Sequence, residues 1–282
     1  MHQLSAEIGV PTDLDAGANT NTNKSKSKRI FLLADGRFKS ILNMNVIITG
    51  ASKGIGKAIA KAFAAEGATL FLCARNEVTL YNTVAELQTQ YPESVIIGKA
   101  VDMSVKEEAK AFGTWVLTSL ENSGSGKVDI LVNNAGSFTP GSIYNEEEGL
   151  LEKMMATNLY SAYHLTRTIV PAMIEAKQGL IVNLCSIASL NAYKNGGSYS
   201  ITKFALMGFS KNLREELKPH HIKVMGVYPG AVMTDSWGDF DNSGQRIMEA
   251  ADIATMVLAA SKLSPQAVVE DIVMRPLLGD LP

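Results

Sequence analysis

NVIITGASKGIGKAIAKAFAAEG, residues 45–67, runs from a short apolar segment through a turn with glycines at 50, 54 and 56 into an amphipathic stretch that stops at Gly67. A buried strand, a glycine turn and a helix in that order present backbone N–H groups at a helix N-terminus with no Cβ in the way, which suits an anion such as a pyrophosphate. Spacing argues against two rival uses of the turn. A triphosphate-binding loop has four residues between its glycines, followed by Lys and a hydroxyl residue; here five residues separate Gly50 from Gly56, and Lys57 is followed by Ala58. The commoner dinucleotide pattern Gly-x-Gly-x-x-Gly is not matched either, because these glycines follow Gly-x-x-x-Gly-x-Gly.

Working outward, six further apolar runs follow: TLFLCA (69–74), VIIGKAV (95–101), VDILVNNA (128–135), GLIVNLCS (179–186), KVMGVYP (223–229) and EDIVMRP (270–276). Longer stretches with apolar residues at helical spacing separate them, such as YSITKFALMGFSKNLREELKP (199–219). Continuous rather than alternating apolar runs belong to strands buried on both faces. The expectation is an α/β protein with a doubly wound, seven-stranded parallel sheet and helices on both faces. Residues 44–282 form its single domain. Residues 1–43 are polar and aperiodic apart from IFLLADGRFKSIL (30–42), and predict a disordered or loosely docked extension, with Met44 an alternative start of the protein itself.

The chain has 282 residues, 26 basic and 28 acidic, for a formal net charge of −2. With no basic block beyond KSKSKR at 24–29, it lacks the wide cationic surface that nucleic acid or an anionic membrane would need. No apolar run reaches the roughly 20 residues of a membrane span. Cys73 and Cys185, the two cysteines, both sit in apolar runs and are expected to be small buried thiols, which argues for a reducing, cytoplasmic setting. His220-His221 has no carboxylate or thiol partner nearby in sequence, so a surface turn is expected there and no metal site. Glu146-Glu147-Glu148 is read as acidic residues favoured at a helix start, without a catalytic carboxylate pair.

TGASKGIG (49–56) after the first strand, with NNAG (133–136) after the fourth, resembles the short-chain dehydrogenases/reductases. Those enzymes have one Rossmann domain and transfer hydride between a nicotinamide cofactor and a carbonyl or alcohol. The resemblance implies that Gly50, Ser52, Gly54, Ile55 and Gly56 line the cofactor turn, and that Asp102 and Met103 face the adenine. It also implies that Asn133, Asn134, Ala135 and Gly136 support the central strands and the nicotinamide ribose. An NAD-preferring site usually has a carboxylate after the second strand, to bind the ribose and repel a 2′-phosphate. Cys73-Ala74-Arg75-Asn76 has none, and Arg75 with Lys53 offers two cations instead, so NADP(H) is the expected cofactor.

Tyr199 and Lys203, four residues apart on a helix, share a face. With Ser186 thirteen residues before Tyr199 and Asn158 in MMATNLYSAY, they match the family's Asn-Ser-Tyr-Lys set. Reduction of a ketone puts negative charge on oxygen that must be stabilised and protonated. A phenol titrating near 10 is a poor acid–base group at neutral pH, and a neighbouring ammonium favours its ionised form. Tyr199 is thus the expected proton donor, Ser186 the hydrogen-bond donor to the carbonyl, and Lys203 the supporting cation. Ser189, also after the fifth strand, is given a structural or pocket-wall role. By resemblance Lys203 also binds the nicotinamide ribose and Asn158 holds a water in the proton relay.

Pro229-Gly230 closes the sixth run, and the resemblance gives Pro229, Gly230, Val232 and Thr234 contacts to the nicotinamide. Trp237 and Phe240 in the following segment supply either a lid or core packing. The expected activity is that of an NADPH-dependent carbonyl reductase on a small-molecule ketone or alcohol, similar to 3-oxoacyl thioester reductases. PGAVMTDSWG with VVEDIVMRPLLGDL looks more like bacterial sepiapterin reductases, which reduce a pterin side-chain ketone. A non-catalytic NADP(H)-binding sensor or scaffold is the alternative of another class. The resemblance further implies a homodimer or homotetramer built through the helices after strands four and five.

Overall fold

The computed structural model describes residues 30–32, 38–40, 44–124 and 126–281. Most of the expected extension at 1–43 lies outside them; Ile30–Leu32 and Phe38–Ser40 pair as a small antiparallel ribbon. The seven expected strands are present as β1 (Asn45–Thr49), β2 (Thr69–Ala74), β3 (Ile96–Ala100), β4 (Ile130–Asn133), β5 (Gly179–Leu184), β6 (Ile222–Pro229) and β7 (Asp271–Met274). All pair in parallel, in the order β3-β2-β1-β4-β5-β6-β7. Strand order reverses between β1 and β4, and the crevice beyond their C-terminal ends is where a parallel α/β sheet takes its ligand.

The strands read as continuous apolar runs because successive side chains feed two cores. Val46 and Ile48 of β1 pack beneath α1 (Gly54–Ala64), α2 (Glu77–Gln90) and α7 (Ala250–Ser261), with Phe63, Leu80 and Val257. Ile47 points the other way, toward α3 (Lys106–Asn122) and α5 (Ser161–Ala176), with Phe112, Leu165 and Ile169. Burying a side chain such as Phe63 contributes about 1.5–3 kcal/mol, so both layers hold the sheet rigid under the site. The short helix α4 (Leu150–Met155) continues through a π-turn, Ala156–Tyr160, into α5. The longest helix, α6 (Gly197–Leu217), packs against β6.

Several strands end before their apolar runs do. Asn134 and Ala135 leave β4 because their N–H groups turn to the Thr49 hydroxyl, at 3.0 and 2.9 Å. Cys185 and Ser186 leave β5 because Ser186 caps the 3-10 turn Ile187–Ser189.

Candidate active site

Thr49 ties the two central strands together at the crevice: buried, it accepts from Asn134 and Ala135 of the β4 end. Asn134 returns the contact, its amide donating to the carbonyls of Thr49 at 2.9 Å and Gly50 at 3.1 Å. The glycine turn is thereby moulded against β4. Gly50 and Gly54 take φ of 64° and 54°, which only glycine adopts freely. Gly56 has ordinary φ, but a Cβ there would stand 2.5 Å from Asn134 Nδ2 and closer still to the Gly50 carbonyl oxygen. The turn and the first residues of α1 therefore form a cradle that side chains would fill, the shape a pyrophosphate requires. Ser52 supports it through its carbonyl, which accepts from Thr83 at 2.8 Å, and Ile55 packs on the core below.

Lys53 and Arg75 are both exposed beside this turn. Lys53 lies 3.3 Å from Asp235, so it is an ion-paired cation rather than a bare surface one. The Ser104 hydroxyl, helped by the Ser104 N–H and the charge of Arg75, holds the Asp102 carboxyl below the usual range against partial burial. Met103 and Val232, expected at the adenine and the nicotinamide, have side chains buried in the two cores, so contacts there are left to main-chain atoms. Asn133 braces β4 from within, donating to Thr166 and to Asn183.

The catalytic candidates converge at the ends of β4 and β5. Lys203 is buried, donates to the Leu184 carbonyl at 2.8 Å, and sits 5.7 Å from the centre of the Tyr199 ring. Gly136 lies beside Asn158 and Lys203: a Cβ there would come within 3.3 Å of Asn158 Oδ1 and 3.7 Å of Lys203 Nζ. Burial pushes the Tyr199 phenol up, and the Ser186 hydroxyl hydrogen-bonded to it pulls the other way. Burial also pushes Lys203 down, to about 8. Burial, rather than the charge of Lys203, sets the direction of the Tyr199 shift. Ser189 is structural, its hydroxyl accepting from the Ser186 N–H.

Asn158 lies in the π-turn, a widening common at functional sites. Both of its amide hydrogens are spent, on the Ser137 carbonyl and the Thr202 hydroxyl, and Oδ1 accepts from the Ser137 N–H at 2.7 Å. Its side chain braces the loop after β4 against α6, so a relay water there would have to use main-chain atoms.

Pro229 ends β6, and the Gly230 N–H donates to the Met274 carbonyl. Thr234 folds back over the glycine turn, its Cγ2 within 3.2 Å of where a Gly54 Cβ would be. Trp237 and Phe240 are only half-buried, have ring centres 5.2 Å apart and join neither core, which favours the lid over core packing. Cys73 and Cys185 are buried and free, with burial pushing their thiols up to about 12 and about 11. His220 and His221 stand in an exposed turn. Glu146 differs from expectation: it binds Ser198 at the start of α6 and does not serve the helix that follows it in sequence. Phe138, 48% exposed, lies edge-on to the Tyr199 ring at 4.9 Å, and Tyr193, 46% exposed, is close enough for Tyr199 to raise its phenol further after burial. Neither Glu146, Phe138 nor Tyr193 carries a spacing signal that would have singled it out.

The sequence profile of the short chain dehydrogenase family matches residues 44–243. Sepiapterin reductase of Chlorobaculum tepidum is 30% identical over 244 residues, spanning 84% of this chain and 97% of that protein. A metagenomic short-chain oxidoreductase in complex with NADP shares 31% identity with a TM-score of 0.72, over 84% of this chain and 98% of its own. An actinorhodin polyketide ketoreductase with NADPH shares 26% identity, also with a TM-score of 0.72, over 82% of this chain and 95% of its own.

Proposed function

The chain belongs to the short-chain dehydrogenase family of oxidoreductases, and on that premise we propose that it is an NADPH-dependent reductase of small-molecule ketones, with Tyr199 as proton donor. The observation that carries this is the juxtaposition of the three groups: the Ser186 hydroxyl is hydrogen-bonded to the Tyr199 phenol, and the buried Lys203 ammonium sits 5.7 Å from the centre of the Tyr199 ring. The glycine cradle fits the pyrophosphate, and exposed Arg75, with no carboxylate directly after β2, fits a 2′-phosphate, with Lys53 able to join it by exchanging its exposed pairing with Asp235. NADP in the metagenomic relative and NADPH in the polyketide ketoreductase support the same choice. When bound, the nicotinamide supplies the hydride.

The residues do the rest. Ser186 donates a hydrogen bond to the substrate oxygen and fixes its place beside the phenol. Tyr199, its pKa raised by burial, stays protonated at neutral pH and gives its proton to that oxygen as charge develops there. Lys203, still charged below about pH 8, stabilises the phenolate left behind and bonds the ribose. Half-exposed Phe138 and Tyr193 flank Tyr199 with apolar ring surface, which suits a 3-oxoacyl thioester and equally the flat ring of a pterin. The sepiapterin reductase of Chlorobaculum tepidum, alike over nearly its whole length, favours the pterin side-chain ketone as the second substrate reading.

Half-exposed Tyr163 on α5 with Ile201 and Phe204 on α6 suits pairing of two copies through these helices. Among the described residues no helix is long and apolar enough to cross a membrane, and two buried free thiols accord with a reducing, cytoplasmic setting.

The test follows NADPH absorbance with diketones, acetoacetyl thioesters and sepiapterin, for the parent and for Tyr199→Phe. Loss of the general acid is expected to lower kcat about 10²–10⁴-fold. Full activity in the phenylalanine variant overturns the mechanism, and tight NADPH binding without turnover of any substrate assigns the protein to the sensor class instead.

A further inference from the structure

We propose that Glu146 is a positioning residue for Tyr199, clamping the first turn of α6 from a loop 52 residues upstream. The proposal rests on Tyr199 being the proton donor. A helix leaves its first N–H groups without intrahelical partners, and those of α6 receive no local help: the preceding residue is Gly196, no side-chain cap is made, and no acidic residue lies in the first turn. Glu146 supplies what is missing. Its Oε2 accepts from the Ser198 N–H at 3.2 Å and its Oε1 accepts from the Ser198 hydroxyl, so one carboxylate grips both donors of the residue before Tyr199.

The seat is built to fit. Ser198 is fully buried, and Glu146 is partly covered while Glu147 and Glu148 are exposed. Gly197 has φ of 40°, and a Cβ there would stand 2.5 Å from the Gly141 carbonyl oxygen and 2.7 Å from Glu146 Oε2, so only glycine lets the loop come this close. The loop is pinned twice more, by the Gly141 N–H on the Asn195 carbonyl at 3.1 Å and by the Ser142 hydroxyl on the Asn195 side chain at 2.9 Å. At the other end of the same loop, Phe138 lies edge-on to the Tyr199 ring. Residues 138–146 thus hold Tyr199 from the ring side and from the backbone side together.

Lys203 is one turn deeper and has its own anchor on Leu184, and the glycine cradle is on another element. Releasing Glu146 should therefore loosen Tyr199 relative to Ser186 while leaving the cofactor residues in place. Because about 1 Å of misplacement can cost on the order of 10²-fold in rate, Glu146→Ala is expected to lower kcat about 10- to 100-fold with the Kd for NADPH within about twofold of the parent. Glu146→Gln keeps an acceptor for the Ser198 N–H and should recover most of the rate. Ser198→Ala removes one of the two bonds and should cost a few-fold, and the double variant with Glu146→Ala should lose no more than Glu146→Ala alone. If Glu146→Ala is insoluble, the glutamine and Ser198 variants carry the test.

Tyr199→Phe is assayed in parallel. Parental kcat in Glu146→Ala beside an inactive Tyr199→Phe overturns this proposal alone, whereas an active Tyr199→Phe overturns the mechanism beneath it. Equal losses of kcat and NADPH affinity, with no recovery by glutamine, give Glu146 a general folding role and overturn the proposal as well.

Discussion

Gly56→Ala tests the cradle most directly, because the added methyl has nowhere to go. Its Cβ would lie 2.5 Å from Asn134 Nδ2 and nearer still to the Gly50 carbonyl, where about 3.5 Å is comfortable. Neither neighbour can yield cheaply: the Asn134 amide is held by the Thr49 and Gly50 carbonyls, and Gly50 is fixed against Ala135. The start of α1 must retreat by about 1 Å. Overpacking of this kind costs about 1–3 kcal/mol, which for a domain of this size lowers Tm by about 2–12 °C. The same retreat draws N–H groups away from the pyrophosphate, and one lost bond to a charged group, about 1.5–3 kcal/mol, raises the NADPH Kd about 10- to 150-fold. Calorimetry and fluorescence titration measure both effects. Gly208→Ala serves as the control, since a Cβ there meets nothing within 4 Å and removes a glycine from the interior of α6. It should stabilise by about 0.4–1 kcal/mol. A Gly56→Ala protein that melted within a degree of the parent and bound NADPH as tightly would refute the steric reasoning for the whole turn.

Arg75→Gln should weaken NADPH binding about tenfold or more while leaving NADH unchanged, as a lost charge-assisted bond to the 2′-phosphate requires; equal weakening of both cofactors in paired titrations would show that Arg75 does not read the phosphate. Stability should depend on alkaline pH in two phases. Lys203 titrates at about 8 folded against 10.5 ordinarily, so above about pH 8 the unfolded chain binds more protons and stability rises with pH. Cys73 and Cys185 have the opposite sign: their folded values lie above the ordinary 9.0, and the stability they contribute is lost above about pH 9. Urea midpoints should therefore climb between about pH 8 and 9 and then fall, and Lys203→Met should remove the climb. A parent and variant with parallel curves would show that Lys203 is not desolvated as described.

What could be read along the chain was whatever a local rule enforces. Glycines at 50, 54 and 56 betray themselves because a positive φ or a missing Cβ is needed at fixed offsets within one turn. Tyr199 and Lys203 are visible because one helix fixes their spacing, and the strands because burial on both faces of the central ones favours continuous apolar runs. Contacts closed by the fold left no such trace. Glu146 sits in an acidic run that suits the start of the next helix, yet its partner Ser198 is 52 residues away, and no pattern in either segment announces the pairing. Asn158 was findable by its family position, but its use as a brace depends on Ser137 and Thr202, which the π-turn and α6 bring to it.

The upward shift of Tyr199 comes from burial. Burial is a property of the assembled layers rather than of four residues on a helix, so the spacing of Tyr199 and Lys203 does not reveal it. The chemistry follows from it. A phenol that holds its proton at neutral pH is matched to donating in the reductive direction, and a buried lysine still charged there is matched to receiving the phenolate once the proton has gone. The same desolvation that raises the first and lowers the second also strengthens their attraction after transfer, so once the proton has passed to the substrate oxygen the phenolate left on Tyr199 is stabilised by Lys203. Oxidation of an alcohol needs the phenolate at the outset, and the burial that suits the donor opposes that start. If Tyr199 is the proton carrier, the oxidative rate should gain more than the reductive rate as pH rises from 7 to 8, and parallel gains in paired forward and reverse assays would show that its protonation does not set the rates.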